Sequence, residues 1–235
     1  LYAMVRTADE IVDAGLDPHD AAALLDAYEA TVRHSPSQRF HTDPIVHAYA
    51  LSARRCGFKD DHVAQFFSSM RSDLTRSTHT QESFEDYICG SAEVIGLLCV
   101  DAFFSGGPRP KGVDNGARRL GAAFQKINFL RDLHEDSAEL GRSYFPSLPD
   151  PTRLDEEAKA AIIADIRTDL AEARTATALL PRGSRIGVAA ATALFTELTD
   201  LLEATPAADI METRVSVPAA RKAILVSRAA AGALR

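Results

Sequence analysis

The sequence predicts an all-α protein, and three observations support that fold class. No segment shows the strict alternation of apolar and polar residues that is typical of a strand. Gly and Pro residues divide the chain into segments of helical length, and polar side chains recur within them at helical spacing. With 235 residues, of which 46% are hydrophobic, the chain is expected to form one domain, spanning residues 1–235, with a substantial core.

Start and stop signals give the order of the helices. Asp17 and Asp43 are each followed by Pro, which is the pattern of an N-cap and the first helical residue. Ser83 and Asp86 have the spacing of a capping box, at the start of a helix predicted to run without interruption to about residue 104. Helices are expected at about 18–34, 44–55, 60–74, 83–104, 113–138, 155–180, 184–203 and 217–234, and the chain begins inside a further helical pattern.

Composition excludes several classes of protein. The net charge of −7 disfavours nucleic acid as a partner, because phosphate binding needs a basic surface. Cys56, Cys89 and Cys99 are odd in number and form no C-x-x-C pair, so neither a disulfide framework nor a zinc site is predicted. No apolar run approaches the ~18 residues of a membrane span. A cytoplasmic protein is expected. Leu1 lies inside a helical pattern, and the sequence leaves open whether a further segment precedes it in the native protein.

Two helices carry carboxylates one turn apart. In the first, Tyr2, Arg6, Asp9 and Asp13 fall within an arc of about 60° on an otherwise apolar helix. A narrow polar stripe of this kind favours a buried helix that faces a polar cavity over a surface helix.

The second pair belongs to the helix predicted at 113–138. Asn128, Asp132 and Asp136 fall within an arc of about 80°, with Gln125 inside the arc and Arg131 beside it. Amphipathicity alone favours a solvated face for this helix. The pairing with the first helix reverses that interpretation, because each carboxylate pair is preceded by an arginine on or beside the same face.

This combination of residues matches the binding of magnesium diphosphate. Paired carboxylates suit Mg²⁺ when phosphate oxygens and waters complete its octahedron, and arginine offers a planar fork to phosphate. Two such stripes facing each other would hold a diphosphate and stabilise its departure. A glycosidase would not need the accompanying Asn and Arg, and a di-iron bundle would carry Glu-x-x-His, which Asp132 to Glu135 does not supply.

With these residues in hand, the sequence resembles the squalene/phytoene synthase family, and its bacterial phytoene synthases most. The signature Y-x-x-x-R-x-x-D-[DE]-x-x-D is matched at residues 2–13, and Q-x-x-N-x-x-R-D-x-x-E-D followed by G-R-x-Y-[FL]-P is matched at residues 125–146. Shorter blocks at 70–74 (MRSDL), 87–96 and 214–216 agree less fully. The family's first helix has no counterpart in this chain.

The resemblance implies an isoprenoid-synthase-type helical bundle around a central cavity. It also implies a prenyltransferase that condenses two geranylgeranyl diphosphates head to head to phytoene, through a cyclopropyl diphosphate, with release of diphosphate, as in carotenoid biosynthesis. The alternatives are a squalene or dehydrosqualene synthase acting on farnesyl diphosphate, with NADPH only in a squalene-type enzyme, or a non-catalytic assembly protein. A cytoplasmic enzyme that visits the membrane surface is expected, while the oligomeric state is not predicted.

The resemblance also assigns roles to residues of this sequence. The ligands of Mg²⁺, or of Mn²⁺ in its place, would be Asp9, Asp13, Asn128, Asp132 and Asp136. The diphosphate would be bound by Tyr2, Arg6, Gln125, Arg131 and Arg214. The catalytic residues would be Asp9, Asp13, Asp132, Asp136 and Tyr87. Further expectations concern an apolar pocket lined by Tyr87, Val94 and Leu98, with Phe124 and Phe129 as additional candidates, and a mouth or loop formed by Arg142 and Tyr144.

Overall fold

A computed structural model confirms the all-α class. It describes residues 1–138, 142–148, 150 and 152–233. The structure is 74% helical, and its described residues contain no strand, only an isolated bridge between Thr78 and Ser143. The helices are α1 (Tyr2–Asp13), α2 (Pro18–His34), α3 (Pro44–Cys56), α4 (Asp60–Asp73), α5 (Gln81–Ile88), α6 (Val94–Phe103), α7 (Val113–Arg131), α8 (Leu133–Ala138), α9 (Glu156–Thr177), α10 (Arg182–Ala204), α11 (Ala207–Ile210) and α12 (Ala219–Ala233), with a 3₁₀ turn at Ser35–Ser37 and a π turn at Cys89–Glu93.

Local caps determine where α2 and α3 begin. The Asp17 carboxylate accepts a hydrogen bond from the backbone N–H of His19 at 2.9 Å. The Asp43 carboxylate accepts from the N–H groups of Ile45 at 2.7 Å and Val46 at 3.0 Å. These bonds satisfy N–H groups that have no partner within the first helical turn. Both predicted helix starts are confirmed.

The capping box predicted at Ser83 and Asp86 is wrong by one turn. The backbone N–H of Thr80 donates to the Ser83 hydroxyl at 2.9 Å, and the N–H of Ser83 donates to the Thr80 hydroxyl at 3.2 Å. Thr80 is therefore the cap, because it offers the acceptor three residues before Ser83. Accordingly, α5 begins at Gln81.

The uninterrupted helix predicted to residue 104 is divided by the π turn at Cys89–Glu93. There the N–H of Val94 bonds to the carbonyl of Cys89, five residues earlier. Gly90 lies against α4, where an added Cβ would stand 2.6 Å from the Gln65 carbonyl oxygen. The additional residue in this turn rotates the following helix by about 100°. Val94 and Leu98 consequently lie in the hydrophobic core, not on one continuous helix face with Tyr87.

The chain divides into two compact units. Unit 1 comprises Leu1–Arg76 and Glu85–Arg109, and unit 2 comprises Ser77–Phe84 and Pro110–Arg235. In unit 1, apolar side chains of α1, α2, α3, α4 and α6 form one core, in which Phe66, Phe67, Leu25 and Leu98 are fully buried. The single domain predicted for residues 1–235 stays a prediction.

In unit 2, a buried ion network joins α7 to α9. The Lys126 ammonium donates to the carboxylates of Asp165 at 2.5 Å and Asp169 at 2.7 Å. Arg119 also donates to Asp169, at 3.2 Å. This network positions α7, the helix that carries the second group of candidate site residues. None of the helices in the described ranges is both long enough and apolar enough to cross a bilayer.

Candidate active site

The first polar stripe lies on the accessible side of α1. Met4, Ala8 and Val12 point into the core of unit 1, because apolar residues at positions i, i+4 and i+8 share one side of a helix. The opposite side carries Tyr2, Arg6, Asp9 and Asp13, and Tyr2 is 81% exposed. The expectation of a buried helix is therefore half right, since its apolar side is buried while its stripe is open to solvent.

The charged side chains of this stripe interact with one another. The Arg6 guanidinium forms ion pairs with the carboxylates of Asp9 and Glu10. Partial burial raises the pKa of Asp9, the like charge of Asp13 raises it further, and Arg6 opposes both effects. A cation bound beside Asp9 and Asp13 would relieve this repulsion. Oxygen ligands of this type suit a hard divalent ion.

The second stripe lies at a break between two helices. The predicted helix 113–138 is wrong in its continuity, because α7 ends at Arg131, Asp132 is its C-cap, and α8 begins at Leu133. The N–H of Asp132 still bonds to the carbonyl of Asn128 at 2.8 Å, so these two residues keep the helical relation that the sequence predicted. Asp136 lies in α8, and its side chain, like Gly141, falls outside the described residues.

Two arginines converge on the Asp132 carboxylate. Arg131 Nε donates to Oδ1 of Asp132 at 2.8 Å, and Arg214 Nε lies 2.9 Å from the same oxygen. Arg214 Nη1 also lies 3.9 Å from Glu135. Arg214 comes from the segment between α11 and α12, far from Asp132 in sequence. The structure thus brings together Arg131, Asp132 and Arg214, all of which the sequence predicts as site residues.

Asn128 adds a neutral oxygen beside this group. Its Oδ1 is buried and finds no hydrogen-bond partner within the described part of the chain. An unsatisfied buried polar atom costs about 1–3 kcal/mol, so an external partner is expected. An amide oxygen next to a carboxylate is a donor set that fits Mg²⁺. Gln125 lies half-buried one turn before Asn128.

The side chains that the structure describes do not form a complete metal site. Among the side chains that it describes, no group of three or more His, Cys, Asp or Glu residues has the arrangement of a metal site. The five predicted ligands are distributed over α1 in unit 1 and the α7–α8 region in unit 2, and one of them, Asp136, is not described. Their joint action as one site stays a prediction.

Tyr87 is buried in unit 1 and hydrogen-bonded to Asp73, a residue to which the sequence analysis assigns no role. Its hydroxyl donates to Oδ2 of Asp73 at 2.6 Å, and its side chain is nearly inaccessible. Asp73 is the fourth residue of the block MRSDL. The resemblance of this block to a family motif is the sequence feature that could have identified Asp73 as a candidate site residue. The carboxylate orients the phenol and increases the negative charge on its oxygen.

Aromatic stacking holds the loop after α8 against other parts of unit 2. The Tyr144 ring stacks on Phe129 with centroids 3.8 Å apart and on His79 at 5.7 Å. The N–H of Ser143 donates to the carbonyl of Ser77 at 2.7 Å. Tyr144 therefore pins the loop to residues 77–79, and Phe129 belongs to this stack. The other candidate, Phe124, stacks on Phe195 at 4.0 Å.

Comparisons with known proteins agree on the family. A family model described as squalene/phytoene synthase matches residues 1–221. The phytoene synthase of Mycobacterium tuberculosis is 26% identical over 252 aligned residues, covering 100% of this chain and 81% of that protein. The presqualene diphosphate synthase of Rhodopseudomonas palustris is 29% identical over 149 residues, covering 63% of this chain and 51% of its own length.

Solved structures show the same fold at low sequence identity. A dehydrosqualene synthase in complex with a ligand superposes with a TM-score of 0.80 at 18% identity, covering 98% of this chain and 84% of the other. The squalene synthase of Alicyclobacillus acidocaldarius gives a TM-score of 0.67 at 22% identity, covering 90% and 79%. With its signatures at residues 2–13 and 125–146 inside the matched region, the chain belongs to the squalene/phytoene synthase family.

Proposed function

We propose that this protein is a prenyltransferase that condenses two geranylgeranyl diphosphates head to head to phytoene, with release of diphosphate. Family membership supports the reaction class, and the names of the mycobacterial relatives favour phytoene as the product. The observation that carries the proposal is the group formed by Arg131, Asp132, Arg214 and the amide oxygen of Asn128, which has no hydrogen-bond partner among the described residues. It combines metal-binding oxygens with two guanidinium groups, which is what a diphosphate leaving group requires.

The residues of the chain have distinct roles in the proposed reaction. The C–O bond of one substrate breaks with its electron pair passing to the diphosphate, and Arg6, Arg131 and Arg214 stabilise the resulting negative charge. The double bond of the second substrate attacks the allylic cation, and loss of a proton closes the cyclopropane ring. The cyclopropyl diphosphate then ionises, rearranges and loses a proton to give phytoene.

A metal ion fits the oxygen donors of the proposed site. Mg²⁺ would be held by Asp9, Asp13, Asn128, Asp132 and Asp136, and it would supply positive charge to the departing diphosphate. Tyr2 and Gln125 would donate hydrogen bonds to the phosphate oxygens. The Tyr87 oxygen, polarised by its bond to Asp73, would stabilise the allylic cation.

Product analysis tests the reaction. The purified protein is incubated with geranylgeranyl or farnesyl diphosphate and Mg²⁺, each with and without NADPH, and the products are identified by mass spectrometry. We expect phytoene from geranylgeranyl diphosphate without NADPH. Dehydrosqualene from farnesyl diphosphate, or squalene that appears only with NADPH, would assign the chain to the alternative enzymes. A folded protein that binds neither Mg²⁺ nor prenyl diphosphate would be an assembly protein.

Matched substitutions test the metal assignment separately. Asp9→Ala and Asp132→Ala are expected to lose both turnover and Mg²⁺-dependent binding of inorganic diphosphate, measured by calorimetry. Asp20→Ala removes an accessible carboxylate from α2 and serves as the control. Retention of activity in Asp9→Ala and Asp132→Ala would refute the metal assignment.

We also propose that the protein works from the cytoplasm at a membrane surface. The substrate and product carry long isoprenoid chains, which partition into bilayers because burying each CH₂ group is favourable by about 0.8 kcal/mol. An enzyme that takes its substrate from this phase and returns product to it gains from contact with lipid.

A further inference from the structure

The C-terminal segment has a charge opposite to that of the whole chain. Residues 214–235 contain five basic residues and no acidic one, although the net charge of the protein is −7. The basic residues are Arg214, Arg221, Lys222, Arg228 and Arg235. Most of this segment forms α12 (Ala219–Ala233), so the positive charge is concentrated on one helix.

One side of α12 is apolar and exposed. Ile224 is 46% exposed and Val226 is 41% exposed. At about 100° per residue, the arc from Val226 through Ala223 and Ser227 to Ile224 covers about 160° and contains no charged residue in the sequence. We call these residues the apolar arc of α12. The two largest side chains of the arc lie near its edges, which gives it a broad, shallow surface.

Two cations border the apolar arc symmetrically. Lys222 lies about 40° beyond Val226, and Arg228 lies about 40° beyond Ile224. The side chains of Lys222 and Arg228 form no hydrogen bond or ion pair with any residue that the structure describes. Arg221 differs, because its guanidinium is held by the Glu197 carboxylate of α10 at 2.8 and 3.0 Å. Among the basic residues that the structure describes on α12, the two without an ion pair, Lys222 and Arg228, are therefore those at the edges of the apolar arc.

We propose that α12 docks on the surface of an anionic lipid bilayer. The apolar arc would enter the boundary between headgroups and acyl chains, while Lys222 and Arg228 would contact lipid phosphates. A helix with an apolar side bordered by Lys and Arg is the arrangement that lies in a membrane interface. Charge complementarity favours anionic lipid over a second copy of this chain, because a twofold contact through the arc would bring the cations of both copies together.

The start of α12 follows Arg214 of the candidate site closely in sequence. Arg214, which contacts Asp132, precedes the start of α12 at Ala219 by five residues. Five residues of extended chain span at most about 18 Å. Val217 between them is buried, which fixes the path of this segment. Docking of α12 would therefore hold this part of the site near the lipid. Proximity to the lipid is an advantage only for an enzyme with a lipid-soluble substrate, so this step rests on the proposed function.

Vesicle sedimentation tests the surface without any enzymatic readout. The full chain is mixed with vesicles of phosphatidylcholine alone, or with 30% phosphatidylglycerol (about a third of the lipid), at low and high salt. We expect binding to the anionic vesicles that weakens with salt. Combined Lys222→Gln and Arg228→Gln should weaken it about 30-fold, since each cation near an anionic surface contributes about fivefold. Combined Ile224→Ser and Val226→Ser should weaken it about tenfold or more.

Matched controls and a second measurement decide between the outcomes. Leu51→Ser removes an apolar residue that is 50% exposed on α3, and Lys111→Gln removes an exposed cation outside α12; both should bind like the parent chain. Thermal melts monitor folding, and analytical ultracentrifugation monitors self-association. Equal binding to neutral vesicles, or binding unchanged in both α12 variants, would overturn the proposal. A dimer that the α12 substitutions dissociate would assign the apolar arc to a second copy instead.

Discussion

The buried ion network between α7 and α9 yields a stability prediction with an internal control. Lys126 contacts two carboxylates, and their environments differ: the side chain of Asp169 is 3% exposed, while that of Asp165 is 58% exposed. Asp169→Ala leaves the ammonium of Lys126 buried with only a partly solvated partner. Removing one member of a buried pair typically costs about 3–5 kcal/mol, and removing an exposed partner costs about 0–1 kcal/mol.

Thermal unfolding followed by circular dichroism measures the difference. For a chain of this length, the predicted loss in Asp169→Ala corresponds to a fall of roughly 6–20 °C in Tm. Asp165→Ala should lower Tm by only about 0–4 °C. The two changes remove the same functional group from the same ammonium and differ in burial, while Asp169→Ala also removes the acceptor of the Arg119 hydrogen bond. Equal losses in the two variants would refute the argument.

A double substitution separates the energy of the network from that of packing. Combining Lys126→Met with Asp169→Leu replaces two buried charges by apolar groups of similar length. A buried pair contributes little net stability once desolvation is included. The double variant should therefore be more stable than Asp169→Ala by several kcal/mol, as read from denaturant titrations.

Further predictions concern pH, the site and the π turn. Burial disfavours the charged form of Lys126, but the hydrogen bonds that it donates to two carboxylates outweigh this effect and raise its pKa. The stabilisation by this group is present below about pH 10 and is lost as the pH rises through the raised pKa, so alkaline titration should destabilise the parent chain more than Lys126→Met. Arg214→Ala should lower kcat/KM about 10- to 100-fold, with partial recovery in Arg214→Lys, and unchanged kinetics would contradict its role. Tyr87→Phe should lower kcat with little change in KM; a change confined to Tm would mean a structural role only. Gly90→Ala should lower the free energy of unfolding by about 1–3 kcal/mol, because the added Cβ would clash with α4. Gly187→Ala should raise it by about 0.5–1 kcal/mol, because there the added Cβ meets no atom within 4 Å. Denaturant unfolding measures both changes.

Features with a local cause were the ones that the sequence predicted well. The starts of α2 and α3 follow from Asp17 and Asp43, whose side chains bond to backbone groups two or three residues away. The all-α class follows from periodicity in the same way. Such signals need no knowledge of distant residues, because the interaction that they predict is complete within one helical turn.

Features that depend on distant residues were missed. The π turn follows from the approach of α4 to Gly90, and the pattern of residues 83–104 reads as one helix without that contact. The orientation of Tyr87 depends on Asp73, fourteen residues earlier. Arg214 was predicted from a short motif, but its partner Asp132 became visible only in the fold. The sequence thus predicted candidate residues of the site, whereas the contacts between them depend on the three-dimensional fold.

The π turn at Cys89–Glu93 limits which changes of length this family member can tolerate. A helix with one extra residue in a single turn accommodates an insertion without lengthening its axis by a full residue step. Deleting one residue from 89–93 would let the segment relax to ordinary α geometry, and the helices on either side would keep their orientation. A one-residue deletion elsewhere in α5 or α6 would instead turn the helix on one side of it by about 100° relative to the other side. The turn is in effect a stored insertion, and a relative that is one residue shorter here would keep its tyrosine in register.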